Sequence, residues 1–150
     1  MYSLEKKVFR FIMVFALVIT TIGGTVKVNA SSTGSKDIND TYGKIYGKTF
    51  GTKGTMGKYF ESDAETTKKV PRIYADIEVM YYTTGNKIAS ETSGWVNNSK
   101  LTAAYVYMDK FKNAQKNNKK DGFVNTKCTA YGCAEAIVKK SYTVYTSCVY

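Results

Sequence analysis

The chain has 150 residues, 22 Lys or Arg against 12 Asp or Glu for a net charge of +10, and no histidine. Without imidazole it lacks the usual general base near neutral pH, every Ser-His or Cys-His nucleophile pair and the common histidine-bearing zinc and copper sites. Its three cysteines alone do not complete a structural zinc tetrahedron, so the sequence calls for no cofactor and no metal.

The first residues, "MYSLEKKVFR", carry Lys6, Lys7 and Arg10 and run into the apolar stretch "FIMVFALVITTI". "GGTVKVNA" follows, with Val28 and Ala30 at the small-residue positions of a cleavage site. A basic start, a short apolar run and such an end are the pattern of a secretory signal peptide. A spanning helix needs roughly 20 apolar residues, and Gly23, Gly24 and Lys27 interrupt this run sooner. The expectation is a signal peptide at 1–30, no stable membrane anchor, and a secreted, extracellular product of residues 31–150. Removing four basic residues and one acidic residue with the leader leaves 18 against 11, a net charge of +7. Arg72 is the one arginine left, and recognition of nucleic acid leans on arginine's planar fork more than on lysine. The partner classes that remain are an anionic envelope polymer, through long-range attraction, or a glycan.

Residues 31–41, "SSTGSKDINDT", are polar apart from Ile38 and too poor in apolar side chains to order themselves. "YGKIYGKTFGTKGTMGKYF", 42–60, holds "GKT", but only three residues separate Gly43 from Gly47, where a phosphate-cradling loop needs four, and Tyr42 stands where its first glycine belongs. The stretch reads instead as a glycine-interrupted edge strand or loop with aromatics between the glycines. "ESDAETTKK", 61–69, reads as a linker. Together 31–69 form a flexible polar and Gly/aromatic-rich arm in this reading, ahead of a β domain at 70–150.

Pro71 marks the entry of a strand. In "RIYADIEVMYY" Ile73, Ala75, Ile77, Val79 and Tyr81 share one face and Tyr74, Asp76, Glu78, Met80 and Tyr82 the other, the period of a half-buried strand. Gly85 and Asn86 suit a hairpin turn that returns "KIASETS" antiparallel. "KLTAAYVYM" fits a strand, or a helix with Leu101, Ala104, Tyr105, Met108, Phe111 and Ala114 on one stripe; the β-rich composition favours the strand. "NNKKDG", 117–122, reads as a loop. The last thirty or so residues divide into "FVNTKCTAYG", "CAEAIVKK" and "SYTVYTSCVY". Short Thr/Tyr/Val-rich segments at this spacing predict an all-β fold, a small antiparallel β-sandwich or barrel-like meander.

Asp76 and Glu78 are the one pair of carboxylates placed on a strand face as a glycosidase would need, and the same alternation is expected of any solvated strand face. Cys128, Cys133 and Cys148 lie in a chain read as exported, a setting that permits disulfides. A hairpin turning at Lys140 and Ser141 sets Cys133 opposite Cys148 and would close a loop worth roughly 3 kcal/mol; Cys128 with Cys148 competes, and Cys128 with Cys133 would close only a tight turn. One thiol is left over in each case. Trp95, outside the alternating runs, with Tyr46 and Tyr59, are the candidate surface contacts, since aromatic rings stack on sugars. In composition and layout the chain resembles the small exported β-rich proteins of Gram-positive bacteria, some of them bacteriocin-like. The reading is therefore a secreted basic protein without enzymatic activity that binds at a cell surface or envelope glycan; the alternative is a bacteriocin-like protein that perturbs target-cell envelopes.

Overall fold

A computed structural model describes residues 27–54, 57–109 and 126–150. Seven strands fill them in chain order: β1 (Lys27–Asn39), β2 (Gly43–Gly54), β3 (Gly57–Tyr81), β4 (Lys87–Thr92), β5 (Val96–Asp109), β6 (Cys128–Ile137) and β7 (Ser141–Val149). All pairings are antiparallel, and no helix occurs among the described residues. The expected all-β fold is present, and of its two forms the barrel is the nearer: one sheet, almost closed on itself.

The 25-residue β3 organises that sheet. Its first part, 57–66, pairs β2 on one edge and β5 on the other. Its last part pairs β6 on the β2 edge and β4 on the β5 edge. β1 extends the sheet beyond β2, and β7 beyond β6. Strands twist and coil, and over this length β3 carries the β1–β2 layer round until it faces β6–β7. The pairing with β5 is irregular between Glu65 and Val70, and there the inward positions change phase, from Phe60, Ala64 and Thr66 to Ile73, Ala75, Ile77 and Val79. Pro71 lies just past this irregularity, inside β3 and not at a strand entry.

Closure depends on small residues. Inward from β6 point Cys128, Ala130, Gly132, Ala134 and Ala136, none larger than a thiol. A Cβ on Gly132 would stand 2.1 Å from Thr49 Oγ1 and 2.4 Å from Ser62 Oγ, and one on Gly47 3.0 Å from Val144 and 3.2 Å from Ala134. The glycines of 42–60 that look like loop punctuation thus let β2 lie against β6 and β7. Around that contact the interior is polar: Thr49 and Thr146 share a 2.6 Å hydrogen bond, and Ser62 Oγ is buried without a hydrogen-bond partner. The apolar core fills the rest with Ile45, Phe60, Ile73, Ile77, Val106 and Met108 among others, each large aliphatic or aromatic group contributing about 2 kcal/mol by leaving water.

Three expectations need correction. Residues 31–69 are not an arm outside the β domain: they form most of β1, all the described part of β2 and the first half of β3, and place Ile45, Phe60 and Ala64 in the core. "AYG" and "CAEAI" are one strand, β6, with Gly132 in its middle. The β6–β7 hairpin pairs Ile137 with Ser141, a register three residues away from the one that a turn at Lys140 and Ser141 would set. A shift by an odd number sends alternate side chains to the other face, so Cys133 pairs with Tyr145 on the outside while Cys148 pairs with Ala130 and is buried inside. Cys133 and Cys148 do not face each other, and none of the three cysteines is in a disulfide in this structure.

The β3–β4 hairpin is as read, with Gly85 at φ 70° and its N–H donating to the Tyr81 carbonyl at 2.9 Å. "KLTAAYVYM" is strand, part of β5. The remainder of its helical alternative, 110–117, the loop at 117–122 and positions 1–26 of the leader lie outside the described residues.

Candidate functional site

On the outer face of the second half of β3 the period-two pattern aligns acids and aromatics into an open groove of about 560 Å³. β3 supplies Tyr74, Asp76 and Glu78; β6 supplies Tyr131, Gly132, Cys133 and Glu135; Tyr145 comes from β7, and Trp95 from the turn before β5. The register sets Tyr74 opposite Glu135, Asp76 opposite Cys133 and Glu78 opposite Tyr131. Side chains two apart on one strand lie roughly 7 Å apart, and direct cross-strand neighbours about 5 Å. Three carboxylates and four aromatic rings are thereby held on a rigid sheet.

Trp95 forms one wall. Its ring lies 5.0 Å from that of Tyr74, at an interplanar angle of 33°, and the Arg72 guanidinium sits 4.5 Å from its centroid. Tyr131 and Tyr145 stand on the other side, and Tyr145 keeps 79% of its surface in water. The tyrosine hydroxyl of Tyr74 donates to Asp76 Oδ2 at 3.3 Å, Ser141 Oγ donates to Glu135 Oε1, and Lys87 Nζ lies 3.4 Å from Glu78 Oε1.

Burial raises the Asp76 carboxyl above its ordinary value, and the like charges of Glu78 and Glu135 add to this, against the Tyr74 hydroxyl and the Cys133 backbone. The Cys133 thiol is pushed up to about 11 by burial first and then by Asp76 and Glu135. A thiol held protonated is a poor nucleophile and a poor metal ligand. Among the described residues no group of three His, Cys, Asp or Glu is arranged to hold a metal ion. The groove offers flat apolar faces beside strong hydrogen-bond acceptors.

Of the three aromatic positions read as surface contacts, Trp95 borders this groove, while Tyr46 and Tyr59 are elsewhere. Tyr46 is exposed on β2. Tyr59 is half-buried, its ring 5.8 Å from Tyr105 and 6.4 Å from Phe50 and its hydroxyl donating to Glu61 Oε2. Burial, with the Asp63 carboxyl beside it, pushes the Glu61 carboxyl up to about 9. Asp63 is raised as well, by burial, and its Oδ1 has no hydrogen-bond partner.

Sequence reasoning placed Asp76 and Glu78 on one outer face and missed Tyr131, Cys133, Glu135 and Tyr145 as their companions. The signal was the alternation of β6 and β7, obscured by reading Gly132 as a break. Compared with known family models, curated proteins and solved structures, the chain matches none.

Proposed function

We propose that this protein is exported and acts without catalysis, by binding a glycan at a cell envelope through the groove between Trp95 and Tyr145. The observation that carries the reading is the groove itself: sugar-sized, walled by aromatic rings and floored by carboxylates. Sugar rings present apolar C–H faces that rest on aromatic rings, and hydroxyls that donate to carboxylates. The volume lies within the range of small-ligand sites. The sheet, and not a mobile loop, holds most of the groups, so little ordering would be needed on binding. Export rests on the leader pattern at 1–30. Absence of catalysis rests on the missing histidine and on the raised, unreactive thiol of Cys133.

The test is titration calorimetry of the purified protein with short oligosaccharides of envelope type, beside Trp95→Ala and Tyr145→Ala. Each substitution is expected to weaken binding roughly tenfold, the loss of one stacking contact of about 1 kcal/mol or slightly more. Binding that ignores both variants would reject the groove. Product appearing during incubation, and disappearing in Asp76→Asn, would move the protein to a carboxylate-dependent hydrolase.

A further inference from the structure

The charge in the groove opposes the charge of the chain. A protein of net +10 gathers Asp76, Glu78 and Glu135 in one cavity and lines it with no lysine or arginine. Lys87 reaches Glu78 from β4. Arg72, the nearest arginine in sequence, is turned over the Trp95 ring. The charges acting on Asp76 and on Cys133 from within the groove are other carboxylates. We propose that the groove selects sugars carrying a free amine, an unacetylated 2-amino sugar unit, over their N-acetylated or acidic counterparts. This rests on the glycan reading above and names the ligand's charge.

The chemistry fits on three counts. An ammonium brings three N–H donors and no acceptor, and the β3–β6 register sets Asp76 between Glu78 on its own strand and Glu135 diagonally across on β6, so an ammonium beside Asp76 has a second carboxylate to one side or the other. The open faces of Tyr131 and Tyr145 attract a cation electrostatically, as Trp95 already attracts Arg72. An acidic ligand would meet three like charges at close range, so an anionic polymer is left to the lysine-rich exterior. An N-acetyl group removes the positive charge and puts a carbonyl oxygen, an acceptor, against acceptors. An acidic cluster alone would not identify a ligand; here the aromatic walls and the cavity supply the sugar, and the charge chooses which sugar.

The experiment titrates the protein with a glucosamine oligomer and with the N-acetylglucosamine oligomer of equal length, at low and at high salt. The amine form is expected to bind roughly tenfold tighter at low salt, two partly exposed charge contacts of under 1 kcal/mol each. That preference should shrink at high salt and vanish in Asp76→Asn/Glu135→Gln, whose side chains point outward and leave the core intact. Tyr145→Ala should weaken both oligomers alike. Equal or tighter binding of the acetylated oligomer, still weakened by Tyr145→Ala, would overturn the charge selection and leave the glycan reading standing. Failure of both oligomers to bind would remove both. The salt comparison on the unaltered protein decides the matter even if the double variant misfolds.

Discussion

β3 carries the same short pattern twice, Tyr59-x-Glu61-x-Asp63 and Tyr74-x-Asp76-x-Glu78, and the two copies end in opposite states. In each, the tyrosine hydroxyl donates to the first carboxylate of the pair. In the first copy Glu61 is 3% exposed and Asp63 8%, and each is raised above its ordinary carboxyl value, by burial first. In the second, Asp76 and Glu78 are half-exposed, look into the groove, and Glu78 takes an ion pair from Lys87. The local sequence does not make the difference; the neighbouring strands do. Beside the first copy stand Phe50 of β2 and Tyr105 of β5, large rings that lie near Tyr59. Beside the second stand Cys133 and Glu135 of β6, which leave room. A motif on a strand acquires its chemistry from what the register sets beside it.

The largest effect is expected where the two halves of the barrel meet. Gly132→Val puts branched carbon where even a Cβ comes within 2.9 Å of Ser62 Cβ and closer still to two hydroxyls. Overpacking costs about 1–3 kcal/mol or more, and the urea midpoint should fall accordingly, with groove binding lost alongside. A variant as stable as the parent would mean that β6 does not lie against β2 and β3 as described.

The next effect separates the carboxyl pairs by pH. The folded value of Glu61, about 9, is above that of an unfolded glutamate, so folding takes up a proton between the two values. Its contribution is fully present below the ordinary carboxyl range, and stability is lost as pH rises through about 9, by at most about 1.4 kcal/mol per pH unit. Glu61→Gln keeps the hydrogen-bonding shape without the ionisation. Thermal unfolding from pH 5 to pH 9, taken as approximate limits, should slope downward for the parent and flatten for Glu61→Gln, which becomes the more stable of the two in alkali. Asp76 is raised in the same direction but is more open to water, so Asp76→Asn should change the slope by less. If Asp76→Asn had the larger effect, the buried and open assignments of the two pairs would be reversed.

Part of this was legible in the residues alone. The inward run Ile73, Ala75, Ile77, Val79 and the turn at Gly85 and Asn86 are local signals, and both are realised in β3 and its hairpin. Residues 43–66 were not, because their reasons are distant in sequence. Gly47 is in β2 to admit Val144, almost a hundred residues away, and Ser62 and Thr66 look like linker residues because the interior they enter is polar. The groove was half legible: Asp76 and Glu78 share a face by simple alternation, but Glu135 and Tyr145 join them only through the β3–β6–β7 register. That register turns on a hairpin whose closing pair, Ile137 and Ser141, carries no glycine signal.

The smallest effect tests the register through the cysteines. Cys133 is the half-buried thiol in the groove, while Cys128 and Cys148 are buried inside. With its thiol at about 11, Cys133 holds roughly one thiolate in a thousand molecules at pH 8, and the thiolate is the reacting form. Iodoacetamide should therefore modify Cys133 slowly, the rate rising about tenfold with each unit of pH until about 11, while Cys128 and Cys148 react only after unfolding. Because the added group projects outward, the unfolding midpoint should hardly move, yet sugar binding should fall because the adduct occupies the floor between Asp76 and Tyr145. Peptide mapping by mass spectrometry reads which thiol carries the label. A Cys133–Cys148 disulfide found in the same experiment would require those residues on one face, and would shift the β6–β7 pairing by an odd number of residues, taking Tyr145 out of the groove with it.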